Sequence, residues 1–117
     1  MEEHSEKFSI KNWSLDDRPR EKLMHKGKSV LSDAELIAIL IGSGNREESA
    51  VGLSQRILAS VENNLNELGK VSIIQLMKFK GIGEAKAITI TAALELGRRR
   101  RANEALERKK INGSASA

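Results

Sequence analysis

Ser72 to Arg101 reads SIIQLMKFKGIGEAKAITITAALELGRRRR, and its punctuation decides the fold. A short apolar helix runs into Gly81-Ile82-Gly83, and a longer, alanine-rich helix leaves it. Two glycines around one aliphatic residue allow a tight hairpin, because a residue without Cβ lets backbone approach whatever lies outside. Ile82 points inward and pins the turn. The first amides of the exit helix lack intrahelical acceptors, and the helix dipole favours an anion at that end. Phosphate suits such a place. This reading assigns phosphate contact to Lys80, Gly81, Ile82, Gly83, Glu84, Ala85 and Lys86. The amides of Gly83 to Ala85 and the Lys86 ammonium are the donors, with Lys78 as nearby counter-charge. A purely structural turn between two helices is the competing reading.

The pattern resembles the helix-hairpin-helix motif, a module that grips nucleic-acid backbones without reading bases. Leu76, the Gly81-Ile82-Gly83 hairpin, Lys86 and the small packing residue Ala87 carry the resemblance. The place two residues after the second glycine, basic in many members, is Ala85 here, with Lys86 one further on. In related motifs the hairpin carbonyls hold a monovalent cation; the residues themselves call for no cofactor and no metal.

The same pattern occurs a second time. LIAILIGSG (36–44) and QLMKFKGIG (75–83) both lead an apolar helix into Gly-x-Gly, 39 residues apart. Both helices open with a capping box, Ser32-x-x-Glu35 and Ser72-x-x-Gln75. Neither helical pair buries its apolar face alone, so two units packed together are expected. Leu36 to Ile41 contains no polar residue, which places that helix inside nearly all round. The next helix starts near Ser49, with Ala50, Leu53, Ile57, Leu58 and Val61 at amphipathic spacing. Leu65 and Leu68 before Gly69 suggest one further turn. Gly42-Ser43-Gly44 sits in acidic surroundings and is read as the structural partner, with contact of Arg46 and its loop to phosphate left open.

Outward from these units, residues 1–12 read as a flexible N-terminus. Trp13 and Leu15 form an apolar staple ahead of a helix whose start is marked by Pro19, and Gly27 closes that helix. Residues 13–101 make the domain. The last helix begins near Glu84 and is apolar round most of its circumference through Leu96, so it is expected at the centre of the core. Glu84, Thr91, Glu95 and Arg98 share one stripe, the wet face. Arg98, Arg99, Arg100 and Arg101 scatter positive charge round a full turn, and either complement the helix dipole or support polyanion binding. Residues 102–117 read as a basic tail or linker. The fold class is all-α, a compact bundle of about five helices built from two helix-hairpin-helix-like units.

Composition narrows the function classes. There is no cysteine, hence no disulfide or thiolate chemistry, and only Trp13, Phe8 and Phe79 are aromatic. No run reaches the roughly 18 apolar residues of a membrane span, and no signal-peptide pattern opens the chain, so a cytoplasmic protein is expected. Net charge is +4, unevenly spread. Residues 32–67 carry six acids and two bases, whereas residues 70–101 carry eight bases and two acids. A basic half beside an acidic one fits a face for a polyanion, or a solvated charged surface.

The resemblance extends along the chain. Trp13, Asp17-Arg18-Pro19-Arg20-Glu21-Lys22-Leu23, Gly27, Leu31-Ser32-Asp33-Ala34-Glu35-Leu36, Gly42-Ser43-Gly44 and Lys80 to Ala87 together look like the N-terminal domain of the bacterial RadC proteins. That resemblance implies a small helical domain with helix-hairpin-helix character, followed in the family by a JAB/MPN metalloenzyme-like domain with a zinc signature. His4 and His25 are the only histidines and lack the spacing of a zinc site, so this part is expected not to be an enzyme. The favoured expectation is a sequence-independent DNA-binding module of a protein associated by name with DNA repair. The alternative is a protein-interaction or regulatory domain that positions the JAB/MPN domain, with the hairpin purely structural.

Overall fold

The computed structural model of the chain describes the backbone of residues 18–116 and the side chains of residues 18–110. Trp13, Leu15 and the N-terminal arm read from the sequence lie outside these residues. Among the described residues every regular element is helical: α1 (Pro19–Lys26), a 3₁₀ turn (Lys28–Val30), α2 (Asp33–Ile41), α3 (Ala50–Ala59), α4 (Leu65–Leu68), α5 (Ile73–Leu76) and α6 (Glu84–Ser116). Six helices therefore stand where about five were expected, two of them single turns.

Local chemistry sets most boundaries. Pro19 occupies the first turn of α1, where no amide is needed, and Gly27 ends it at φ +90° with its N–H donating to the Leu23 carbonyl. Ser32 and Ser72 cap α2 and α5 in full capping boxes. Ser49 caps α3 and Asn64 caps α4, each accepting from the amide three residues on. Replacing such a cap by alanine costs about 1 kcal/mol.

Helix α2 packs on α1, α3 and α6, and α5 packs on α6. The two helix–turn–helix units thus meet across α2 and α6. The core comprises Ala34, Ile37, Ala38 and Ile41 of α2, Leu53, Ile57 and Leu58 of α3, Leu68, Leu76 and Ile82, and Ala87 and Ile90 of α6. Leu53, Ile57, Leu68, Leu76 and Ile90 are fully buried, each worth about 1.5–3 kcal/mol in removed apolar surface. The small residues Ala34, Ala38, Ala50 and Ala87 let the helices approach closely. Lys22 clips α1 to α2 by a 3.0 Å ion pair to Glu35. Burial pushes the Glu35 carboxyl up, but hydrogen bonds from Ser32 and Lys22 outweigh it and hold the group below its usual range.

Helix α6 departs from the sequence reading in three ways. Only one side of its first turns is enclosed: Ile88 is 46% exposed and Leu96 68%, because among the described residues no second layer covers their side of the helix. The Thr91 hydroxyl, expected in water, is buried without a hydrogen-bond partner among the described residues. Thr91 and Glu95 are half-buried, so the stripe read as the wet face is not uniformly exposed. Finally, α6 continues without a break past Arg101 and through Ser116: residues 103–110 prolong the helix, as their sequence allows, and the backbone is helical also over residues 111–116, read from the sequence as linker or tail. Its 33 residues span about 50 Å at 1.5 Å per residue.

Candidate functional site

The Gly81-Ile82-Gly83 turn is built by three different requirements. Gly81 takes φ +98°, a conformation in which a side chain is strained, and a Cβ there would press within 3.1–3.3 Å of Leu53 and Asn45. Ile82 is buried, and its amide donates to the Phe79 carbonyl at 3.0 Å. Gly83 has neither constraint: its φ is not in the left-handed region and a Cβ would meet nothing within 4 Å. Its surface is open to the outside.

The first intrahelical bond of α6 runs from the Ala87 amide to the Gly83 carbonyl, 3.0 Å. The amides of Gly83, Glu84, Ala85 and Lys86 find no acceptor among the described residues. Gly83, Glu84 and Ala85 are exposed. Helices α2 to α5 each spend a Ser or Asn side chain on this end. Helix α6 begins without a capping side chain, since glycine precedes it. Its dipole and its free donors face the same opening. Glu84 lies in its first turn and faces the dipole as an acid.

Two of the three cations expected beside the turn are engaged by the first hairpin and its loop. The Lys86 ammonium crosses to the first hairpin and donates to the Ser43 carbonyl at 2.9 Å and the Ser43 hydroxyl at 3.1 Å. An ammonium has three donors, so one remains, and neither acceptor cancels its charge. Lys80 pairs with Glu47 at 2.8 Å. Lys78 is exposed with no partner among the described residues.

Sequence reading missed the residue that ties the two turns together. Asn45 follows the first Gly-x-Gly, and its Oδ1 accepts from the amides of Glu47 at 2.8 Å and Glu48 at 3.0 Å. Its Nδ2 donates to the Lys80 carbonyl at 3.0 Å. An Asn directly after a glycine does signal a side-chain-closed turn. Nothing in the sequence announces the partner 35 residues away. Glu48 is held by the Arg56 guanidinium, with Nε 3.1 Å from Oε1, and this bond foremost keeps its carboxyl below the usual range. Arg56 also lies 5.5 Å from the centre of the Phe79 ring, linking the loop to the approach to the second hairpin.

The arginine run lies elsewhere. Arg98 is fifteen residues past Gly83, about 22 Å along the helix, so it and the turn cannot meet one phosphate. Glu95 takes hydrogen bonds from Arg98 and Arg99, and they lower its carboxyl to about 2. Arg100 and Arg101 are exposed and unpaired among the described residues. The structure therefore brings together Lys80 to Lys86 with Ser43, Asn45 and Glu47, and sets Arg98 to Arg101 apart. Among the described residues no three His, Cys, Asp or Glu gather as metal ligands, and no helix is long and apolar enough to cross a membrane.

A family model described as UPF0758 N-terminal matches residues 10–88, a stretch that holds both hairpins and ends before the arginine run. The chain is 70% identical over 110 residues to a UPF0758 protein of Flavobacterium johnsoniae, covering 94% of this chain and 48% of that one. A UPF0758 protein of Porphyromonas gingivalis is 47% identical over 111 residues, covering 94% and 49%. UPF0758 protein GK2618 of Geobacillus kaustophilus is 48% identical over 92 residues, covering 79% and 40%. The chain spans about half the length of these curated relatives or less. No solved structure matches it.

Proposed function

We propose that this chain, which belongs to the UPF0758 family, is a sequence-independent DNA-binding module whose Gly81-Ile82-Gly83 hairpin docks a backbone phosphate. The observation that carries the reading is the uncapped start of α6, where the amides from Gly83 to Lys86 have no acceptor among the described residues and Gly83 to Ala85 are exposed. A phosphodiester oxygen supplies what Ser and Asn supply to α2 to α5. Lys86 adds a charge fixed in place by Ser43, and Lys78 and Arg98 to Arg101 add longer-range attraction. The site offers donors to a backbone and no array of side chains for base edges, so contacts position without specifying. Affinity is then weak, with Kd about 10⁻⁴ to 10⁻⁶ M near physiological salt, and falls steeply as salt rises.

An amide chemical-shift titration with a short mixed-sequence duplex tests this. Shifts that gather at residues 80–87 and fade with added salt support the proposal. A titration in which residues 80–87 stay still at low salt refutes it.

One observation favours a second reading. Ile88, Leu96 and Leu106 are apolar and exposed along α6, while the chain covers about half of its relatives' length. In that reading the helix is a mounting surface for another domain of a longer protein, by resemblance a JAB/MPN-type one, and the hairpin only shapes the bundle. The same titration separates the two, since a mounting surface leaves residues 80–87 indifferent to DNA.

A further inference from the structure

We infer that Glu47 is a built-in competitor for the phosphate, holding Lys80 neutralised until a polyanion displaces it; the inference rests on the phosphate-docking reading above. The two cations beside the second hairpin are held in contrasting ways. Lys86 is bound by the neutral oxygens of Ser43, so its position is fixed and its charge kept. Lys80 is bound by a carboxylate, so its charge is cancelled at rest.

The acid is placed by a rigid frame. Asn45 closes its own loop, with its N–H on the Glu48 carbonyl at 3.0 Å and its Oδ1 on the amides of Glu47 and Glu48. Its Nδ2 fastens the loop to the Lys80 carbonyl. The frame therefore carries the Glu47 carboxylate to the residue whose ammonium it neutralises. Glu48 is already occupied by Arg56 and Asn45, which leaves Glu47 as the acid of this loop open to exchange. Both members of the Lys80–Glu47 pair are mostly exposed, at 65% and 72%. Water screens such a pair and its net worth is small, so exchange for another oxygen anion is easy. A phosphate seated on the free amides presents that second anion to the same ammonium, and a polyanion recovers the difference from neighbouring phosphates. The first hairpin, poor in bases, thus sets the strength with which the second one binds.

Glu47→Gln tests the inference by removing the charge and keeping the shape. Glu67→Gln is the control, since it removes the same charge from an exposed pair with Lys70 on α4. Binding of the 117-residue chain to a fluorescent mixed-sequence duplex is measured over a salt series, with a thermal melt of each variant. The expected result is a Glu47→Gln protein that melts with the wild type and binds about three- to five-fold more tightly. Its log–log salt slope stays near that of the wild type, because Lys80 meets a phosphate in both complexes and only the cost of releasing Glu47 is removed. Glu67→Gln leaves the affinity unchanged. Wild-type affinity in Glu47→Gln, in a wild type that binds, overturns the competitor role and leaves the docking reading standing. An equal gain from Glu67→Gln overturns it in favour of net charge alone. Absence of binding by all three proteins removes the docking reading and this inference together.

Discussion

Gly83→Ser separates a docking role for the second hairpin from a structural one, because the two effects it produces have opposite signs. A Cβ at this position meets nothing within 4 Å, and the backbone is outside the left-handed region, so serine enters without strain. As the residue before Glu84, it supplies the cap that α6 lacks. Serine exceeds glycine at an N-cap by a few tenths of a kcal/mol, and exchanging glycine for a side chain at an unstrained site adds about 0.4–1 kcal/mol through the unfolded chain. The sum is a stabilisation of about 1 kcal/mol, or a rise in Tm of about 4–8 °C for a domain of this size. The same hydroxyl accepts from the amides that were free for phosphate, so DNA binding weakens by about ten-fold or more, the loss of one charge-assisted hydrogen bond. Urea denaturation at constant m-value reads the first effect and fluorescence anisotropy with duplex DNA the second. A variant that is stabilised and still binds as the wild type refutes the docking role. A destabilised variant refutes the geometry itself.

At the first hairpin the glycines are not exchangeable in this way. A Cβ on Gly44 would overlap the Glu48 carbonyl oxygen and lie 2.7 Å from that of Ser49, so Gly44→Ala is expected to cost about 3 kcal/mol or more in denaturant unfolding. Thr91→Val removes a buried hydroxyl without a partner and is expected to raise stability by about 1 kcal/mol in the same assay. Glu48 has a folded-state pKa below its ordinary 4.5, chiefly through the Arg56 hydrogen bond, and Glu35 is lowered too. The unfolded chain therefore takes up these protons first as pH falls, so their stabilisation is full above about 4.5 and is lost below it. Thermal melts should be level from neutral pH to about 5 and decline further down, and Glu48→Gln should decline less steeply.

The elements legible in the sequence are those set by residues close together in it. The two capping boxes, Pro19 and Gly27 each act within one turn, and α1, α2 and α5 start or stop where these residues put them. The Gly-x-Gly repeat likewise gave both turns and the inward Ile82. What the sequence left hidden depends on how the two turns face each other. Lys86 reaches Ser43 across 43 positions, and Asn45 reaches Lys80 across 35. Helical periodicity misplaced Thr91 and overstated the enclosure of α6 for a related reason. A wheel projection reports which residues share a face, while burial depends on whether another element arrives to cover it.

All the enclosed residues of α6, Ala87 and Ile90 with Leu94 partly so, lie in its first three turns, and the rest of the helix stands clear of the bundle. Mechanically this is a lever clamped at one end. A tilt of about 5° at the clamp carries the tip of the free arm, about 33 Å beyond Leu94, through about 3 Å. A small reseating of the turn at Ile82 is magnified at Arg101 and beyond, and a load applied there pries on the hairpin with the same advantage.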